Sequence, residues 1–143
     1  MILLEQCVNK KGQQYVFFCC ERCECMPSDN KAAKKELNIL YGSRCMLTNI
    51  KSKRLTYHHC QAKKEFGGKA TVENGANLIA DIHSWLHSVE SRDIEMYYLI
   101  NECLLLYKQC LDKELTELVQ DYEQEIMPKY CKELQIYRNR KRK

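Results

Sequence analysis

Two prolines and five glycines in 143 residues leave little material for a loop-rich or fibrous chain. No apolar run approaches the roughly 18 residues that a membrane-crossing helix needs, so none is expected, and no membrane partner with it. The opening MILLEQCVNKKG is apolar but short. It lacks a basic leader and a small-residue cleavage site, so it does not read as a signal peptide. Ten cysteines without an export signal point to reduced thiols or metal sites rather than disulfides, and to a cytoplasmic protein. Hydrophobic residues make up 45% of the chain, enough for one core, either a single domain or a small core with an added helical part.

Histidine is scarce too, and its placement organises the rest. All four, His58, His59, His83 and His87, fall between Thr56 and Ser88, with Asn74 between the two pairs. His83 and His87 are four apart. On a helix both rings project from one face, a turn apart, and can share one metal ion. LTYHH is β-branched and aromatic and reads as a strand, so His58 and His59 point to opposite faces. One can turn towards the metal and the other towards a substrate. Three histidines leave coordination positions open on the ion, and the fourth is left to accept a proton from water. A structural zinc site is the competing reading of the same residues.

The pattern HH, fourteen residues, N, eight residues, H, three residues, H resembles the HNH, or ββα-metal, nuclease motif. It is most similar to the version in colicin nuclease domains, and it covers about a third of the chain, from Cys45 to Val89. The resemblance implies two antiparallel strands and a helix clasping one divalent ion, Zn, Mn, Ni or Mg. It implies that His58, His83 and His87 bind the metal, that His59 is the general base and that Asn74 holds the loop orienting His59. It further implies hydrolysis of phosphodiesters to a 5′-phosphate and a 3′-hydroxyl. The zinc knuckle of many relatives is missing, because Cys45-Met-Leu-Thr48 and Ile79-Ala-Asp-Ile82 stand where its cysteine pairs belong. Many relatives carry Asp where His58 stands, and no arginine sits at a motif-defined position for gripping the phosphate.

Around this motif, MILLEQCV and QQYVFFCC with the turn Asn9–Gly12 read as a β-hairpin. It runs into a cysteine cluster whose Cys20 and Cys23 have the spacing of a second zinc site. Pro27 to Asn30 breaks the chain before a helix, Lys31 to Tyr41, which Gly42 ends; Leu37, Leu40 and Tyr41 form its apolar face. From Lys31 to Lys69 there are ten Lys or Arg against two acids, and Arg44, Lys53, Arg54, Lys63, Lys64 and Lys69 are the candidate nucleic-acid contacts.

After Ser88 the character changes. Ser91 opens a helical pattern with the apolar stripe Ile94, Tyr97, Tyr98, Ile100, Cys103, Leu104, Leu105 and Tyr107. A second segment carries Leu115, Leu118, Val119 and Tyr122 and is broken or kinked at Pro128. Residues 91–128 hold three basic and nine acidic side chains, which suits packing on the core, a homodimer or a protein partner better than DNA. From Lys129 onward seven basic residues face one acid, a frayed helix or flexible arm that would add sequence-independent affinity for nucleic acid.

The sequence therefore predicts an α+β fold, a ββα-metal HNH core at 43–90. An N-terminal hairpin and basic helix (1–42) precede it, and an acidic helical segment (91–128) and a basic C-terminal helix or tail (129–143) follow. The expected function is a metal-dependent endonuclease, DNA favoured. The alternative is a non-catalytic zinc-stabilised nucleic-acid-binding or protein-interaction module, and either fits a phage or mobile-element protein.

Overall fold

The first described helix, α1, spans Pro27–Tyr41 in this computed structural model, which describes residues 27–61 and 70–143, with side chains from Asn30 onward. The expected N-terminal hairpin, Cys20 and Cys23, and Lys63, Lys64 and Lys69 lie outside the described residues. Helix α1 starts before Lys31. Proline lacks an N–H that the first turn would leave unbonded anyway, so Pro27 begins the helix instead of breaking the chain ahead of it. Gly42 ends it as expected, with φ +85° and its N–H on the Asn38 carbonyl at 3.0 Å. The buried face is Ala33 and Leu37, one turn apart; Leu40, expected on that face, is 56% exposed.

The chain then crosses to strand β1, Leu55–His59, which pairs antiparallel with β2, Gly75–Ile79, from Leu55↔Ile79 to His59↔Gly75. Gly75 is needed for space: a Cβ there would run into the ring of Tyr57. Helix α2, Ala80–Arg92, follows β2 without a loop and buries Ile82, Trp85, Leu86 and Val89. Asp93 interrupts the helical pattern expected to open at Ser91. Its carboxylate accepts the Met96 N–H at 3.1 Å and starts a separate helix, α3, Ile94–Asp112. Tyr97, Ile100, Leu104 and Tyr107 of the expected stripe are buried, while Ile94 and Tyr98 face outward.

A left-handed Glu114 (φ 55°) turns the chain into a short helix, α4, Thr116–Asp121, a π-helical turn, Tyr122–Ile126, and a last helix, α5, Met127–Lys141. Pro128 does not break this run. It sits in the first turn of α5, and the wider π turn lies just before it, where an α-helix would meet the proline ring at the carbonyl four residues back. Leu115 and Leu118 are exposed, contrary to the expected stripe, whereas Tyr122 is buried. The basic tail is helical through Lys141 and anchored by buried Met127 and Leu134.

One hydrophobic cluster runs from Cys45 through Leu55, Leu78, Ile82, Leu86, Ile100 and Leu104 to Leu134, so the ββα segment and the helices after it share a core. Each fully buried leucine contributes about 2 kcal/mol by removal from water. The architecture is mixed, mostly helical with a small two-stranded antiparallel sheet, and so falls in the α+β class. Among the described residues no helix is long and apolar enough to cross a membrane.

Candidate metal centre

Strand alternation separates the two adjacent histidines. Tyr57 and His59 share one face of β1, with ring centroids 4.9 Å apart and edge-on. His58 points to the other face, towards α2, where its ring centroid lies 5.0 Å from that of His83 and 5.7 Å from that of His87. One ligand atom from each of these three rings lies within 4.8 Å of the others. Among the described residues this is the only cluster of three or more histidine, cysteine or carboxylate groups with metal-binding spacing.

Neighbouring hydrogen bonds set which nitrogen each ring offers. The Thr56 hydroxyl donates its one proton to the Leu78 carbonyl at 2.9 Å, so its oxygen accepts from His83 Nδ1, 2.8 Å away. His83 therefore keeps its lone pair on Nε2, and that atom lies 3.0 Å from His87 Nε2. His58 Nε2 donates to Asn101 Oδ1 at 2.7 Å, which leaves the lone pair on Nδ1. That atom is buried and makes no hydrogen bond among the described residues. The Nδ1 of His87 faces Glu90 Oε1 at 3.7 Å. Fixing a ligand's tautomer through its other ring nitrogen is how proteins orient metal-binding histidines.

Burial pushes the pKa of His58 well below the ordinary range, and the charges of His83 and His87 push the same way, against the Asn101 hydrogen bond. His83 falls to about 3, mainly through burial and then through His87 and His59. Both rings are neutral at pH 7. Inward-facing neutral imidazoles, with a buried nitrogen that lacks a partner, fit one divalent cation, and an all-nitrogen donor set favours a transition metal over Mg²⁺.

His59 is completely buried and stands outside the triad. Asn74 holds the chain just after it. The Asn74 side-chain oxygen accepts the Gln61 N–H at 2.8 Å, and its carbonyl accepts the Cys60 N–H at 2.7 Å. The Thr71 hydroxyl receives the Asn74 N–H at 3.1 Å. Of the candidate phosphate contacts, Lys53 and Arg54 are exposed on the approach to β1. Arg44 is tied into the protein, to Asn49 at 2.8 Å and to Glu123 at 3.7 Å.

Sequence reasoning missed three residues here: Thr56, Asn101 and Lys108. Lys108 is a buried ammonium from α3 that donates to the carbonyls of Val72, Glu73 and Gly75, on both sides of Asn74. Burial lowers its pKa. The signal was available, because Asn101 follows Tyr97 by four and Lys108 follows Leu104 by four, polar residues in phase with a buried stripe. In comparisons with known proteins, no family model, curated protein or solved structure matches the chain.

Proposed function

We propose that this protein is a metal-dependent endonuclease of the HNH type, which hydrolyses phosphodiester bonds of DNA and leaves a 5′-phosphate and a 3′-hydroxyl. The observation that carries this reading is the convergence of His58, His83 and His87 to within 4.8 Å, with His59 on the opposite face of the same strand. The succession of strand, strand and helix and the bond from Asn74 to the chain after His59 support it.

A divalent ion on His58, His83 and His87 would neutralise charge on the phosphoryl oxygens and the leaving 3′ oxygen. The protein's own residues do the rest. Thr56 and Asn101 hold two of the ligand rings in the tautomers that face inward. His59 takes the proton from the attacking water on a ring nitrogen, and Asn74 keeps the backbone beyond His59 in place. Lys53 and Arg54 supply exposed positive charge for the neighbouring phosphates. The test is plasmid cleavage by metal-stripped protein with Zn²⁺, Mn²⁺, Ni²⁺ or Mg²⁺ restored, beside His59→Ala. Nicking that needs the ion and disappears in the variant supports the reading. Cleavage that survives in His59→Ala removes the general base.

The full burial of His59 favours a second reading, a zinc-stabilised module that binds nucleic acid or a protein without cutting. Here the three rings staple β1 to α2, and exposed Leu99, Leu106, Leu115 and Leu118 in the acidic helical segment offer apolar surface for a partner or a second copy. Bound zinc, unfolding on chelation and no cleavage with any ion would select it.

A further inference from the structure

The basic C-terminal end is not a separate arm. Arg138 Nε donates to Asp81 Oδ2 at 2.8 Å, and this docks the last turns of α5 on the first turn of α2. Lys141 lies close enough to feel the Asp81 charge, with its ammonium over the Tyr137 ring at 4.7 Å. The β-ladder ends with Leu55 opposite Ile79, so Lys53 and Arg54 stand at this same end of the hairpin. Lys53, Arg54, Arg140, Lys141, Arg142 and Lys143 are all exposed. The Asp81 carboxylate in their midst is already paired with Arg138.

The N-terminal end of α2 carries this cationic corner together with the positive end of the helix dipole, while Arg92 at the other end stands beside Glu90, Asp93 and Glu95. His83 lies two residues beyond Asp81, within a turn of the corner. We infer that this corner, built jointly by residues 53–54 and the end of α5, is the docking surface for the phosphate backbone of a nucleic-acid substrate. It leads the strand to the histidine site from the N-terminal end of α2. The direction of approach rests on the nuclease reading; the surface itself binds whether or not the bond is cut. Because the tail is already helical and pinned by Arg138, its charges are in place before the strand arrives.

The test is binding of a fluorescent DNA duplex by the full chain as purified, over a range of salt concentrations, in short incubations. One variant replaces Arg140, Lys141, Arg142 and Lys143 by Gln, and another carries Lys53→Gln and Arg54→Gln. A control carries Lys129→Gln and Lys132→Gln, exposed on the earlier turns of the same helix. Both corner variants are expected to lose about tenfold or more in affinity at low salt, and to flatten the dependence of log K on log salt by about 0.9 per lost phosphate contact. The control is expected to keep the wild-type slope. Unchanged binding in both corner variants, beside a wild type with a steep salt slope, would overturn the docking surface and leave the nuclease reading standing. A wild type that binds no duplex would overturn both. Tail-dependent binding to phosphatidylserine vesicles with no duplex binding would assign the corner to membranes and overturn the inference.

Discussion

His58 and Asn101 are joined by a 2.7 Å hydrogen bond across 43 positions of chain, between two fully enclosed side chains. The bond links the strand of the histidine site to α3, a helix outside the motif. The other two polar ends of this pair, His58 Nδ1 and Asn101 Nδ2, have no hydrogen-bond partner among the described residues. The arrangement suits a ring whose free nitrogen is meant for something other than protein. Replacing Asn101 by Leu removes the acceptor that fixes the tautomer and is expected to weaken Zn²⁺ or Co²⁺ binding by about 10- to 100-fold. The metal-free protein should lose about 1–3 kcal/mol, because the buried ring N–H loses its partner. Asn101→Asp restores an acceptor and adds charge, so its metal affinity should equal or exceed wild type. Metal titration with thermal unfolding checks all three, and equal affinity in the Leu variant would remove Asn101 from the site.

Lys108 does for the Asn74 segment what Asn101 does for His58, two turns further along the same face of α3. Its ammonium satisfies backbone carbonyls on both sides of Asn74, and no other described side chain does so. Lys108→Met keeps the apolar stem but takes the ammonium away from those carbonyls, at a cost of about 1–3 kcal/mol. The triad does not touch Lys108, so metal affinity should stay within about threefold of wild type. Cleavage should fall, because the loop that Asn74 anchors beyond His59 loosens. A large loss of metal binding in this variant would show that the two halves of the site are not separately supported.

The close approach of Gly75 and Tyr57 sets the hairpin register beside His59. The Tyr57 hydroxyl donates to the Thr71 carbonyl at 2.6 Å and receives the Thr71 N–H at 2.9 Å, so the ring cannot easily swing aside. Gly75→Ala is expected to destabilise the protein by about 1–3 kcal/mol through overpacking. The loss should shrink when Tyr57→Leu is introduced as well, since the two residues are in contact and their effects do not add. Urea unfolding of the two single variants and the pair measures the coupling, and full additivity would refute it.

Much of the histidine geometry was legible because it follows from two short-range periods. Strand alternation put His58 and His59 on opposite faces, and the four-residue spacing put His83 and His87 on one. Gly42 as a helix end was legible because it rests on backbone conformation alone. Less local features were not. The sequence read Ser91 as the start of the acidic helices, but Asp93 caps α3, since both residues are competent caps and packing decides between them. Pro128 reads as a break or a kink; the helical run continues through it, with a π turn just before it. Leu40, Leu115 and Leu118 carry the right residue type for a core and face outward, because hydrophobic identity does not say which face another helix will cover. Asn101 and Lys108 show in the sequence only as polar residues in phase with a buried stripe, and their roles appear only once α3 is laid against β1.

The depressed pKa values of His58 and His83 make an acid-sensitivity prediction for the metal-free protein. His83 titrates at about 3 in the folded chain, against a reference near 6.5 when unfolded. His58 is shifted the same way by its burial. As pH falls below about 6.5 the unfolded chain takes up these protons first, so folding stability declines. The slope approaches about 1.4 kcal/mol per pH unit for each histidine that stays neutral in the fold. The His83 contribution is complete above the unfolded pKa and stops declining only near pH 3, where folded His83 itself becomes charged. Denaturant unfolding at pH 7 and pH 5 on stripped protein should show the loss, and His83→Gln should flatten the slope by about one proton's worth. Adding Zn²⁺ should raise stability more at pH 7 than at pH 5, because the metal competes with protons for the same nitrogens. Stability independent of pH across this range would mean that the folded chain admits charged imidazoles at the site, and the inward-facing arrangement of the three rings would then be wrong.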